Sequence, residues 1–401
     1  MHFTKSLIAL VACFLPLIAC APTEQPALKL RNVDATNVVP NSYVVVYKKD
    51  IDDSTYESEM SSVSAMLSKR DSTFKGLGHK YNIKNFKGYQ IETDPETLSK
   101  ISESPQVDYV EKDGKMSAFA EQSGSPWGLD RISHSDLSTP YTYGYDFTGE
   151  GATVYVIDSG IQIRHTEFRG RAEWGANFAS DSADSDGFGH GTHCAGTIGG
   201  VTYGVAKKAK LVAVKVLDAR GEGSYSGVLA GMDWAARTAV EKGHIGTSVI
   251  SMSIGGNYSA AVNAATTAII DKGITVVLAA GNDDVNALSV SPASTPEAIT
   301  VGATDSKNTR VQFSNWGPIL DIFAPGVDIL SAWIGSDTAA NTISGTSMAC
   351  AHVAGLAAYF IGLNGTTTPE ALVQRITTGA TAFQVLSPKQ SVNLIAYNGY
   401  A

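Results

Sequence analysis

ATVYVID (152–158), KLVAVKVLD (210–218), TSVISMSIG (247–255), ITVVLAAGN (274–282) and AITVGATD (298–305) are short runs dominated by aliphatic and β-branched residues. A strand with one wet face alternates apolar and polar side chains, whereas a strand apolar on both faces is buried on both. Between these runs, YSGVLAGMDWAARTAVEKG and SAAVNAATTAIIDKG carry apolar residues at helical spacing. The expected fold class is therefore α/β, a parallel sheet covered by helices on both faces. Chemistry in such sheets gathers at the carboxyl ends of strands. Asp158 and Asn282 close two of the runs.

Upstream, KMSAFAEQSGSP (115–126) is polar, small and Gly/Pro-punctuated, and reads as an exposed linker. Ahead of it, NSYVVVYK (41–48), FKGYQIET (86–93) and VDYVEKDG (107–114) read as strands, with helical stretches near 53–69 and 95–103. Asp94-Pro95 suits an N-cap followed by proline at the first helical position. A small α+β domain is expected there, with residues 22–40 as a further linker. The first twenty residues, MHFTKSLIALVACFLPLIAC, place Lys5 before an apolar run too short and Pro-broken for a comfortable membrane span. This reads as a signal peptide cleaved near residue 20. Leu17 to Cys20 also fits a bacterial lipoprotein box, which would anchor the chain instead.

With 30 Lys and Arg against 39 Asp and Glu, the net charge is −9. Phosphate binding needs concentrated basic residues, so a nucleic-acid partner is not expected. Cys13 and Cys20 fall in the signal, and Cys194 and Cys350 are expected as free, buried thiols rather than a disulfide staple. Asn257-Tyr-Ser and Asn364-Gly-Thr fit the glycosylation acceptor pattern.

Taken singly, the polar residues of the core runs have ordinary structural readings. Asp158 in VIDSG can cap a turn, and His190 in DGFGHGTHCAG can be a buried structural imidazole. Ser347 in SGTSMACAHVAG can be a first-turn helix serine, and Asn282 a turn residue after Gly281. Together they make a different case. A nucleophilic serine needs an imidazole base, and the base needs a carboxylate to fix its tautomer. Ser347 at a helix start has a backbone N–H placed to hold an oxyanion, with the Asn282 amide as second donor. No HExxH pattern accompanies His193 or His352, which read as structural.

VIDSG, GHGTHCAGTIGG, SMSIGG, AAGN and GTSMACAHVAG resemble, in order, the signature blocks of the subtilisin superfamily. PWGLDRIS, FSNWG, LDIFAPG and VNLIAYN resemble its proteinase K branch, and residues 41–115 resemble the inhibitory propeptide found with it. The likeness covers nearly everything from Trp127 to Ala401. It implies a signal peptide (1–20), a linker and propeptide (21–119) and a subtilisin-like catalytic domain (120–401), with cleavage between Phe119 and Ala120. It makes Ser347 the nucleophile, His190 the general base and acid, Asp158 the orienting carboxylate, and Asn282 with the Ser347 amide the oxyanion hole.

The same resemblance places substrate against Gly223, Ser224 and Tyr225 on one side. Ser253, Ile254, Gly255, Gly256, Ala279, Ala280 and Gly281 form the other side, with Tyr225 near P4. The expected P1 preference is hydrophobic, because HGTHCAGT differs from kexin-like enzymes and no obvious acidic cluster lines the slot. The carbonyls of Pro296 and Ala298 with Asp321 match a structural calcium site of that branch. Polypeptide substrates, the chain's own propeptide as inhibitor, a monomer, and secretion or a vacuolar destination complete the expectation. Two competing readings are weaker. A catalytically silent relative would have lost one of the four chemical positions, and an α/β-hydrolase would carry a second glycine where Ala349 stands. One departure from the family pattern is Cys350-Ala351, where Ser or Thr followed by Pro is usual.

Overall fold

A computed structural model describes residues 29–33, 38–68, 73–114, 120–137, 140–181 and 183–400. The signal region, Phe119 and most of the linker ahead of Ala120 lie outside them. The chain divides into two compact units, Met1–Lys115 and Met116–Ala401, just ahead of the expected junction at 119.

In the first unit, Val107–Gly114, Val38–Tyr47, Phe86–Glu92 and Gly76–Ile83 form an antiparallel sheet in that order, with Leu30–Arg31 parallel at one edge. Helices Asp53–Leu67 and Pro95–Ser102 bury Tyr56, Met60, Val63, Leu98 and Ile101 against Val45, Tyr47, Tyr89 and Ile91. Asp52 and Asp94 cap them by accepting from the Thr55 and Thr97 amides, which stops the chain from fraying at those starts. The sequence reading missed the edge strand Gly76–Ile83, most of which is exposed and so carries no apolar period.

In the second unit the sheet strands are β1 (Thr153–Asp158), β2 (Ala172–Asn177), β3 (Lys210–Lys215), β4 (Ser248–Met252), β5 (Thr275–Ala279), β6 (Ile299–Thr304) and β7 (Ile322–Pro325). They run parallel in the order β2-β3-β1-β4-β5-β6-β7, and Leu394–Ile395 and Thr381–Ala382 extend the β7 edge. Besides the short helix Trp127–Ser133, the helices are α1 (His190–Gly199), α2 (Tyr225–Glu241), α3 (Ala260–Ile270), α4 (Thr346–Asn364) and α5 (Pro369–Gly379). Val154, Val156, Ala213, Val249, Val277 and Val301 face α1 and α4. Tyr155, Ile157, Val214, Ile250 and Val276 face α2 and α3. Both faces of the central strands are thus covered, which is why β1, β4, β5 and β6 are buried along their whole length.

α4 is the one described helix long and apolar enough to cross a membrane, and 89% of that stretch is buried within the protein. Its small residues allow close packing: a Cβ on Gly355 would stand 2.8 Å from Val205 Cβ and 2.9 Å from Ile198 O. One expectation needs correction. Residues 115–126 are not wholly linker, because Ala120–Ser123 pairs antiparallel with Thr142–Tyr145. Within GEGSYSG (221–227), Ser224 caps α2 by accepting from the Gly227 amide.

Candidate active site

β1 lies where the strand order reverses, and it ends on Asp158, whose side chain is fully buried. A buried carboxylate needs donors. His190 Nδ1 lies 2.8 Å from Oδ1 and 3.0 Å from Oδ2, and the Ser159 amide donates to Oδ1 at 2.7 Å. Burial works against the imidazolium, but the Asp158 carboxylate and the neighbouring Cys194 together outweigh it and hold His190 well above its ordinary value of 6.5.

His190 opens α1, entered through Gly189 at φ +97°, a left-handed conformation that glycine adopts without penalty. The first turn is held by Asp186, which sequence reasoning did not single out. This buried carboxylate accepts from the amides of Phe188, Gly189 and Thr192, from Thr192 Oγ1 at 2.6 Å and from Ser159 Oγ at 2.9 Å. Ser159 Oγ accepts in turn from the Gly191 amide at 2.9 Å. The residue after Asp158 and the helix carrying His190 are therefore tied to one group. Lys215, fully buried and in register with Asp158 on β3, donates to Ser159 O and Leu217 O. The available signal was an acidic residue just before a helix start.

Ser347 is the second residue of α4, so its amide lies outside the helix's own ladder. Its hydroxyl donates to Ser253 O at 3.1 Å, while Ser253 Oγ donates to Ser347 O at 3.0 Å. The Ser347 hydroxyl thus bonds Ser253 O rather than His190, and its backbone carbonyl accepts the return bond. Catalytic hydrogen bonds commonly tighten only with substrate in place. Asn282 Oδ1 accepts from Thr346 N at 2.8 Å and Thr346 Oγ1 at 2.9 Å. Its Nδ2 stands 3.5 Å from where a Cβ on Gly345 would be, beside the start of α4.

A cleft of about 500 Å³ is lined by Gly255, Gly256, Asn257, Gly281, Asn282, Asp283, Val285, Ser289 and Val290. Of the expected slot residues, Gly255, Gly256 and Gly281 line it. Ala279 and Ala280 are instead buried in the core, Ala280 with Leu320 and Phe323, and Ser253 and Ile254 lie off the lining. Asp283 adds a carboxylate to the wall that the sequence reading did not foresee. Gly256–Asn257 pairs with Val290–Ser291. Tyr225, exposed at the start of α2, donates through its hydroxyl to Asn257 O.

Away from the cleft, Asp321 Oδ2 accepts from the Thr300 amide at 2.8 Å, and the Asp321 amide donates to Thr300 O. Burial pushes the Asp321 carboxyl up to about 6. Among the described residues no cationic side chain pairs with it. A desolvated carboxylate joined to the segment that bears Pro296 and Ala298 suits a hard cation.

Asp158, His190 and Cys194 also bring one ligand atom each within 4.8 Å of one another. There the His190 Nδ1 and the Asp158 oxygens already bond each other. Cys194 and Cys350 are free and buried, and burial raises both thiols, Cys350 to about 12. Burial pushes His193 and His352 down to about 4, and each ring bonds backbone carbonyls: Ile329 O for His193, Met348 O for His352.

Comparison with known proteins bears on this geometry directly. Residues 149–394 match the subtilase family, peptidase S8, and residues 42–119 match peptidase inhibitor I9. The chain is 61% identical to subtilisin-like protease 3 of Pseudogymnoascus destructans, over 99% of both chains. It is 50% identical to a cuticle-degrading serine protease of Arthrobotrys oligospora, over 99% of this chain and 100% of that one. A crystal structure of a cold-adapted subtilisin-like serine proteinase superposes with a TM-score of 0.66 at 44% identity, covering 69% of this chain and 99% of the other. With a buried carboxylate on an imidazole at the strand ends and a serine at the start of the central helix, the chain belongs to the subtilase family of serine proteases and carries an I9 inhibitor propeptide.

Proposed function

We propose that the chain is the precursor of a secreted serine endopeptidase that removes its own propeptide and prefers hydrophobic P1 residues. The observation that carries this reading is the 2.8 Å bond between His190 Nδ1 and Asp158 at the carboxyl end of β1. That bond leaves Nε2 as the ring's free base. Ser347 Oγ, turning from Ser253 O, gives its proton to Nε2 and attacks the scissile carbonyl. The oxyanion is met by the Ser347 amide and Asn282 Nδ2, whose aim is fixed because Thr346 occupies Oδ1. His190 then protonates the leaving amine, and water clears the acyl-enzyme.

Val285, Val290 and the glycines of the cleft support an apolar P1 side chain. Asp321 with the carbonyls of Pro296 and Ala298 would hold calcium, which there would offset a desolvated charge and play no chemical part. Asn257 and Asn364 are both exposed, as glycosylation requires. The monomeric state and an extracellular destination, with the vacuole as alternative, follow from the family reading. Covalent labelling by a fluorophosphonate, abolished in Ser347→Ala, tests the enzyme assignment. Cleavage of a peptide library by the mature enzyme tests the P1 preference, and a dominant cut after charged residues would overturn it.

A further inference from the structure

Asn315 is fully buried and does not line the cleft, and its side-chain bonds go to the neighbours of Asn282 rather than to Asn282 itself. Its bonds straddle Asn282. The Asn315 amide donates to Gly281 O at 2.9 Å and Nδ2 donates to Ala280 O at 2.8 Å, both ahead of Asn282. Oδ1 accepts from the amides of Asp283 and Val285, each at 3.0 Å, both after it. Every polar atom of the side chain is thus spent on one loop. The fit is close: Gly281 sits at φ +101°, and a Cβ there would lie 2.3 Å from Asn315 Nδ2. Neighbouring bonds reinforce the backing, with Trp316 N on Val285 O, Trp316 Nε1 on Asp284 O and the Asp284 amide on Phe313 O.

We propose that Asn315 is the positioning residue of the Asn282 amide, holding the loop from behind while Thr346 holds Oδ1 from the helix that carries Ser347. This rests on the reading of Asn282 as an oxyanion donor. A donor works only if it is aimed at the charge before the charge forms, and small misplacements are costly. A buried residue with three side-chain bonds and one backbone bond to one loop is a way to supply that aim.

The test is a double-mutant cycle on mature enzyme, with kcat referred to sites titrated by fluorophosphonate. Asn282→Ala should lower kcat by about 10²–10³, a magnitude carried over from a subtilisin relative rather than worked from this geometry. Asn315→Ala should lower kcat about 10- to 100-fold with KM changed less than about threefold. In the Asn282→Ala background the same change should cost less than about twofold, because the group being aimed is gone. Affinity for a peptide boronate, whose tetrahedral adduct fills the oxyanion position, should fall in step with kcat. Equal costs in both backgrounds, or a rise in KM with kcat intact, would overturn the inference and leave Asn282's own role standing. An Asn282→Ala enzyme with unchanged kcat would overturn the donor reading and this inference with it. If Asn315→Ala does not accumulate folded, Asn315→Asp decides between the same outcomes, since it keeps Oδ1 but sets an oxygen against Ala280 O.

Discussion

Asp321 offers a prediction in which one substitution should change sign with the medium. Its carboxyl is pushed from 3.8 up to about 6 by burial, against the hydrogen bond from Thr300. At 1.36 kcal/mol per unit, this is a penalty of about 3 kcal/mol on the ionised, cation-free native state above pH 6. Because the folded carboxyl binds its proton more tightly than the unfolded one, this contribution to stability rises as pH falls from 6 to 3.8. Asp321→Asn keeps the shape and the acceptor for Thr300 but carries no charge. In chelator at pH 8 it should therefore be stabilised by up to about 3 kcal/mol, worth roughly 5–10 °C in a unit of this size, and the gain should vanish below pH 4.

With calcium in large excess the order should reverse. Wild type then gains about 4 kcal/mol at a thousand times its dissociation constant, and the variant, lacking the charged ligand, gains much less. Thermal melts of fluorophosphonate-inactivated mature enzyme measure this without autolysis. A variant stabilised equally in calcium and in chelator would mean no cation binds at Asp321. One destabilised in chelator would refute the desolvation argument itself.

Because His190 must be neutral to accept a proton and Asp158 raises it, kcat/KM should climb with an apparent pKa above 6.5. Asp158→Asn should move that limb to lower pH and lower kcat by about 10⁴. The stability drawn from the pair runs the other way, present in full below pH 6.5 and lost as pH rises through the folded value. An unmoved limb in Asp158→Asn would deny the coupling. Asp186→Ala strands the amides of Phe188, Gly189 and Thr192 and two hydroxyls, so denaturant melts should show a loss of about 1–3 kcal/mol or more, with kcat falling as His190 drifts. Near-wild-type stability would show that water replaces this clamp. Ser347→Ala should accumulate unprocessed and Phe119→Asp should mature slowly, both read by N-terminal sequencing. A Ser347→Ala chain beginning at Ala120, from a host without related proteases, would show that another enzyme makes the cut.

The parallel sheet was legible because burial on both faces leaves a composition signal: β1, β4, β5 and β6 are buried along their whole length. β2, reading AEWGAN, and the propeptide edge strand Gly76–Ile83 were missed for the converse reason, since residues facing water need not be apolar. Of the residues expected to meet substrate, Gly255, Gly256 and Gly281 line the cleft while Ala279 and Ala280 are buried, and smallness in a sequence does not separate room for a ligand from close packing.

The same distinction separates the groups proposed to do chemistry from the groups that hold them. Asp158 ends a strand, His190 and Ser347 lie at helix starts, and Asn282 follows closely on the end of β5, so the local pattern marks the place even where it leaves the role ambiguous. Asp186 is marked only as an acidic residue ahead of a helix start and Asn315 not at all, because their meaning lies in what converges on them. Asp186 joins Ser159, 27 positions away, to the turn before His190, and Asn315 reaches Ala280, 35 positions away. A buried polar side chain costs stability unless every atom is paired. Where one is paired wholly with the backbone on both sides of a reacting group, its cost is offset by the position it imposes.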